Sequence, residues 1–366
     1  LKSSGKEFGA LLADCLKELG FAPSKAEPEI FMRRNDDIWE YVATYVDDLC
    51  FVVKQPEQFL DLLKGKPYEF KLKGSGPLAF HLGCGFGRDE DETLHLNPKQ
   101  CVEKISETFK GMFGELPRKR ESPLPPNDHP EMDTSELLED DDVEKYLSLI
   151  GQLQWAVSLG RWDIQTASMS MSSFRAQPRI GHLDRLKRIY AYIHKFENFK
   201  IRSRVEEPDL SYLDNSTQQD WSQSVYGEHV EDLPDDMPIP LGKKVTLTHW
   251  FDANLMHDVL SGKAVTGCIH FANKTPMMWY SKKQSTTETA TYGAEFCAGR
   301  SCIEQLVDLR NTFRYLGVPI HDISYVFGDN ESMVNSSKFP YARPVSYTHL
   351  RAHETLRYLV CRLLLE

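Results

Sequence analysis

Tyr41-Val42-Ala43-Thr44-Tyr45-Val46-Asp47-Asp48-Leu49-Cys50-Phe51-Val52-Val53 is the stretch from which the first part of the chain is read. Val, Tyr, Phe and Thr favour a pleated, half-buried surface. The two apolar runs therefore predict paired strands, with Asp47-Asp48 as the tight turn of a hairpin. Adjacent carboxylates at a hairpin tip repel each other. A solvated polar turn is one reading, since Asp is an ordinary turn residue. A cation site is the other, because Mg²⁺ binds through one or two carboxylates plus substrate phosphates. Neighbouring strand residues face opposite ways, so the two acids are not expected to hold one ion centrally together.

The chain has 366 residues, more than one hydrophobic core usually serves, so two or three domains are expected. Its formal net charge of −11 is unfavourable to phosphate binding by the surface as a whole. The charge is segregated, however: residues 131–144 and 206–236 are acidic and 175–204 are basic. The eight cysteines, at 15, 50, 84, 101, 268, 297, 302 and 361, include no Cys-x-x-Cys pair. They read as reduced core thiols of an intracellular protein, with no zinc site. No apolar run reaches membrane-spanning length, so no membrane partner is expected. The opening Leu1-Lys2-Ser3-Ser4 has neither an initiator Met nor a signal-peptide pattern, and the chain reads as cut there.

Periodicity predicts a helix over 6–19 ended by Gly20, a helix over 58–64 and a short strand over 69–73. It also predicts paired strands over 78–86 and 92–96 around Asp89-Glu90-Asp91, and a helix over 98–113 that begins at Pro98. Pro117, Pro123, Pro125, Pro126 and Pro130 make 116–142 a linker. Helical spacing resumes at Val143. Arg185, Lys187, Arg188, His194 and Lys195, interleaved with Tyr190 and Tyr192, form a basic face suited to a phosphate backbone, or else the solvated side of a packing helix. A second acidic linker covers 206–237. Beyond it, 245–251 alternate as a strand running into Asp252. The segments 267–271 and 277–280 form a hairpin around Asn273-Lys274-Thr275-Pro276, Glu295 sits on a helix over 290–305, and Asp329 closes a strand over 323–327. Carboxylates so placed can converge, because such sheets gather ligands at strand carboxyl ends. Two divalent ions held there can activate a water and stabilise a leaving oxygen.

Several blocks carry a resemblance. Tyr45-Val46-Asp47-Asp48 resembles the polymerase motif of reverse transcriptases, with flanks like those of Ty1/copia retrotransposon polyproteins. In the same order follow Phe80-His81-Leu82-Gly83, Tyr146 to Leu153 (Tyr-x-x-x-Ile-Gly-x-Leu), Arg161-Trp162-Asp163-Ile164 and the helix from His182 to Ile193. Trp279-Tyr280-Ser281-Lys282-Lys283-Gln284, Tyr292-Gly293-Ala294-Glu295-Phe296 and Gly328-Asp329-Asn330 resemble the family's ribonuclease H segments.

The resemblance implies an α/β fold in pieces. These are a partial palm (1–115), a Pro-rich linker (116–142), a helical thumb or connection (143–205), an acidic linker (206–237) and a ribonuclease H-like domain with a five-stranded mixed sheet (238–342). Residues 343–366 resemble a read-through tail, and Glu354 within them is set aside as a fourth ligand. Asp47 and Asp48 would serve RNA-directed DNA polymerisation. Asp252, Glu295 and Asp329 would hold metal for hydrolysis of RNA in RNA/DNA hybrids. Each site would use two Mg²⁺ or Mn²⁺ ions. Lys2, Ser3, Arg185, Lys187, Arg188, Lys195, Lys282 and Lys283 would contact nucleic acid. The implied partners are an RNA template, a DNA primer, RNA/DNA hybrid, deoxynucleoside triphosphates and the remainder of a polyprotein. The implied location is a cytoplasmic virus-like particle, or the nucleus. Polymerase chemistry of this type also needs a carboxylate from a strand before Leu1, so the chain alone is not expected to extend a primer. The alternatives are an inactive relic that only binds nucleic acid, and a stand-alone ribonuclease H-fold nuclease or strand-transfer enzyme.

Overall fold

The computed structural model describes residues 2–213, 231 and 233–338, without the side chains of residues 2–6. The chain is mixed α/β and forms two compact units. The first unit comprises Leu1–His81, Glu231–Val245 and Gln305–His321.

In this first unit, α1 (Lys2–Glu18) turns Leu12, Cys15 and Leu16 inward at helical spacing. It is followed by Gly20, whose φ of +85° suits glycine. An antiparallel sheet follows in the order β1 (Ala22–Pro23), β2 (Ile30–Asn35), β3 (Ile38–Tyr45), β4 (Asp48–Val52). Then α2 (Pro56–Lys64) presses Phe59 and Leu63 onto Phe21, Phe31 and Val42. Tyr45 pairs with Asp48, so the hairpin turn is Val46-Asp47 and Asp48 already belongs to β4, one residue away from the expected turn. The strand expected over 69–73 is not formed. Phe70 instead donates its N–H back to Leu63 (3.1 Å) and sets its ring 5.8 Å from Phe8 and 5.9 Å from Tyr68. Burying one ring against the helices takes the place of strand pairing there. The short β5 (Phe80–His81) ends this stretch.

The second unit comprises Leu82–Val230, Thr246–Glu304 and Asp322–Glu366. Leu82 (φ +51°) and Gly83 (φ +91°) interrupt the strand expected over 78–86. β6 (Cys84–Arg88) pairs antiparallel with β7 (Leu94–Asn97), which later receives β8 (Ile201–Arg202). α3 (Lys99–Phe113), α4 (Asp140–Ser158), α5 (Gln165–Ser172) and α6 (Ile180–Lys195) share a core that includes Phe109, Tyr146, Leu153, Leu186 and Ile189. α4 starts at Asp140, three residues before the expected Val143, because Asp140, Asp141 and Asp142 favour the positive end of the helix dipole. The Pro-rich stretch before it lies along α6. Asp128 and Asp133 grip Arg185 at 2.8 and 2.6 Å, and Leu124 and Leu138 pack on the helical core.

A meander of β9 (Leu247–Asp258), β10 (Lys263–Ala272) and β11 (Thr275–Lys283) is extended by β12 (Tyr325–Phe327), parallel to β9, giving the order β11-β10-β9-β12. Four strands of this sheet lie among the described residues, against five expected. α7 (Thr291–Tyr315) buries Ala294, Ala298 and Cys302 at four-residue spacing, and α8 (Glu331–Lys338) follows β12. Residues from Gln305 onward in α7 belong to the first unit. There Arg310 and Arg314 hold Glu231 at 2.9 and 2.5 Å. The rest of the second acidic stretch from 214 to 230, together with 232 and the tail at 343–366, lies outside the described residues. The described cysteines are free thiols, and no described helix is long and apolar enough to cross a membrane.

Glu40 on β3 is 1% exposed and receives Arg33 (2.6 Å), Asn35 (2.9 Å) and the Lys54 N–H (2.8 Å). Burial pushes its carboxyl up, but the three donors outweigh that and hold it below the usual range. Its contribution is therefore present above the unfolded value of 4.5 and lost as pH falls through the lower folded value. Glu40→Ala is expected to destabilise the first unit by about 2–3 kcal/mol at pH 7, with a smaller loss at acidic pH. Urea unfolding of parent and variant at several pH values checks this.

Candidate metal centre

Asp252, Glu295 and Asp329 arrive by three separate routes. β9 runs on to Asp258, so Asp252 lies in mid-strand opposite Gly267, rather than at the strand end as expected. β12 runs parallel to β9 with Phe327 opposite Trp250, and two residues further on Asp329 comes level with Asp252. Glu295 is the fifth residue of α7. One oxygen from each of the three lies within 4.8 Å of the others.

Close packing makes this meeting possible. The Phe251 ring sits under two glycines: a Cβ at Gly328 would fall 2.4 Å from it, and one at Gly299 3.3 Å. Helix and strand end can thus both approach β9. Gln284 ties the start of α7 to β10 by donating to Ala294 O (2.9 Å) and Thr266 Oγ1 (3.0 Å).

Asp252 and Asp329 are exposed, whereas Glu295 is 5% exposed. Its Oε1 accepts the Ala253 N–H at 3.3 Å, and its buried Oε2 has no hydrogen-bond partner. Burial first, and then the Asp252 charge, push the Glu295 carboxyl up to about 7, with Asp329 adding and the Ala253 N–H opposing. An all-oxygen donor set, an orphaned buried oxygen and mutually repelling acids fit a hard divalent cation. The two exposed acids leave one side of such a site open to water and substrate.

The other expected site residues are arranged differently. Asp47 and Asp48 are exposed at the hairpin tip, where His81 Nδ1 stands 4.0 Å from Asp48. Among the described residues they join no group of three ligand-bearing side chains. Lys2 and Ser3 start α1, and their side chains lie outside what is described. On α6, Arg185 is held by Asp128 and Asp133, Lys187 by Asp184 (3.2 Å), Arg188 by Ser122 (2.9 Å) and Lys195 by Glu121. Lys282 is exposed, and Lys283 pairs with Asp258 at 2.5 Å. His182 is buried, bridging Pro130 O (2.9 Å) and the Arg179 N–H (3.1 Å), so it fastens the Pro-rich stretch to α6. A cavity of about 580 Å³ beside the carboxylates was not foreseen from the sequence. Trp162, Trp250, Trp279 and Phe327 line it together with Asp252 and Asp329. These aromatics are scattered over four segments, and no spacing rule joins them.

Over 209 residues the chain is 24% identical to a transposon Ty5-1 protein of Saccharomyces cerevisiae, covering 56% of this chain and 65% of that protein. It is 21% identical over 331 residues to the retrovirus-related Pol polyprotein from transposon RE1 of Arabidopsis thaliana, covering 90% of this chain and 20% of the relative. It is 22% identical over 347 residues to the Pol polyprotein from transposon TNT 1-94 of Nicotiana tabacum, with 92% and 23% covered. The chain is related to Ty1/copia-like transposon polyproteins. It spans less than two thirds of each of these transposon proteins and about a fifth to a quarter of the two Pol polyproteins. No family model matches it, and no solved structure matches it.

Two outcomes are expected of this transposon-related chain. Without cations, folded Glu295 keeps its proton up to about pH 7, whereas the unfolded chain releases it near 4.5. The folded state therefore binds more protons between those values, and stability falls as pH rises through them. Glu295→Gln is expected to flatten this slope and raise stability at pH 8 by about 3 kcal/mol in chelator, as read by urea unfolding. Gly328→Ala is expected to displace the Phe251 ring and destabilise the second unit by about 1–3 kcal/mol. Thermal unfolding of that variant measures the effect.

Proposed function

We propose that the chain is the reverse transcriptase and ribonuclease H portion of a copia-type polyprotein, and that its principal chemistry is hydrolysis of the RNA strand of an RNA/DNA hybrid. One observation carries the reading: acids from β9, α7 and the end of β12 meet within 4.8 Å, with the buried Oε2 of Glu295 unpartnered. In this reading Leu247 to Lys338 belongs to a ribonuclease H-like domain (238–342), the helices within 143–205 to the thumb or connection, and 1–115 to a partial palm. The stretches 116–142 and 206–237 connect them, with a non-native tail after 342.

Asp252, Glu295 and Asp329 would hold a pair of Mg²⁺ or Mn²⁺ ions, which when bound supply an activated water and a counter-charge for the leaving oxygen. Asp252 and Asp329 face solvent and orient the scissile phosphate. Glu295, whose Oε1 accepts the Ala253 N–H, would be the buried ligand of the set. It must lose its proton first, so cation binding is expected to weaken below about pH 7. Lys282 is exposed on the same sheet and is available to a flanking phosphate. By the same reading the Asp47-Asp48 tip would serve the polymerase, whose substrates would be deoxynucleoside triphosphates, template and primer and whose cofactors would be two further Mg²⁺ or Mn²⁺ ions. Lys2, Ser3 and the basic face of α6 remain contacts for nucleic acid in this reading, with Arg185, Lys187, Arg188 and Lys195 first exchanging their present partners. The remainder of the polyprotein is the expected partner, and a cytoplasmic particle or the nucleus the expected location.

The test is cleavage of a labelled RNA strand in an RNA/DNA hybrid by the full chain. Mg²⁺-dependent cleavage is expected, with Asp252→Asn slower by about 100-fold or more. A parent that does not cleave, or an Asp252→Asn variant that cleaves equally well, would overturn the reading.

A further inference from the structure

The aromatic cavity beside the carboxylates is larger than a metal centre requires. Its volume, about 580 Å³, is that of a small-molecule pocket. Trp250 and Phe327 form one wall, stacked 4.3 Å apart at 18°. Trp279 is fixed by donating its indole N–H to Val157 O at 3.2 Å. Trp162, 38% exposed, comes from a different segment and stands edge-on to Phe199. Polar groups are few and held in place: Asp163 is gripped by Arg161 at 2.9 and 2.8 Å, and Thr166 meets Ser281 at 3.2 Å. Asp252 and Asp329 belong both to this lining and to the trio.

A ligand whose phosphate is drawn to the carboxylates through cations therefore has its next ring at the mouth of an aromatic slot. We infer that the cavity receives the base of an unpaired nucleotide adjoining the phosphodiester held at Asp252 and Asp329, an inference that rests on the phosphodiester reading above. Flat π-faces suit a nucleobase of any identity, because every base presents a face to stack. A paired base has to leave its own stack first, at a cost least for mismatched or single-stranded nucleotides. The slot thus selects strand ends, overhangs and mismatches over continuous duplex, and makes little distinction among the bases.

Calorimetry on the full chain with Mg²⁺ tests this, comparing adenosine 5′-monophosphate with ribose 5-phosphate, which share the sugar and phosphate and differ in the base. The nucleotide is expected to bind about tenfold or more tightly. Trp250→Ala is expected to abolish that difference and Trp250→Phe to keep most of it. Should Trp250→Ala fail to fold, Trp162→Ala is read in the same way, its ring lying on another segment. Equal affinity for the two probes, absence of binding by either, or a difference that survives loss of the ring would overturn the inference. Cleavage is not the readout, so a chain that fails to cut hybrid sinks the nuclease reading while this comparison still returns its own answer.

Discussion

Three carboxylates, one of them buried, bring an oxygen each within 4.8 Å of the others and repel, and the elements of the second unit hold them at that spacing. Their spacing is a consequence of backbone register. Parallel pairing of β12 with β9 sets Asp329 level with Asp252, while Gly328 after β12 leaves room for the Phe251 ring and Gly299 on α7 leaves room for Met333 and the edge of that ring. Gln284 then fixes the start of α7 against β10. Packing and hydrogen bonds made some residues away from the acids thus oppose an electrostatic strain concentrated on Glu295.

That strain stands out against the way the chain treats its other buried charges. Five Asp, Glu, Lys or Arg residues are buried among the described ones: Glu40, Arg161, Asp258, Glu295 and Arg310. Glu40 has Arg33, Arg161 has Asp163, Asp258 has Lys283, and Arg310 has Glu231. Glu295 alone of the five faces acids, and its carboxyl is the one pushed up, to about 7, where Glu40 and Asp258 are held low. A buried acid left against like charge is costly unless something positive arrives. This contrast argues for a site more strongly than the count of acids does, and it makes the overall charge of −11 a poor guide to what the chain binds.

Periodicity and turn chemistry made much of this fold legible, and the failures have physical causes. The helices at α1, α2, α3 and α7 and the β10–β11 hairpin follow from local pattern, because one apolar face per element decides each. The strand expected over 69–73 does not form, because the pull of the first unit's core on Phe70 is not a local property. An acid after an apolar run resembles a stop at Asp252, whereas pairing with β10 carries β9 six residues further. The Pro-rich stretch looked like a spacer because prolines exclude helix. What binds it, Asp128 and Asp133 on Arg185 and Pro130 on His182, joins residues some fifty positions apart. The trio itself was readable from its placement on two strands and a helix, but the orphaned Glu295 oxygen was not, since burial is known only once α7 is seated.

The two acidic sites are physically unlike. At the hairpin tip both carboxylates are exposed, with a histidine 4.0 Å from Asp48, so water can disperse their repulsion without any cation. Nothing in that arrangement demands a metal, and no third acid among the described residues joins it. At Glu295 water is excluded, the neighbours are acidic, and the carboxyl has either to keep its proton near neutrality or to meet a cation. Two acids that are comfortable in solvent indicate a turn first and a polymerase only through the company of other motifs. Three acids held together against their own repulsion, all in one compact unit, carry a chemical argument of their own.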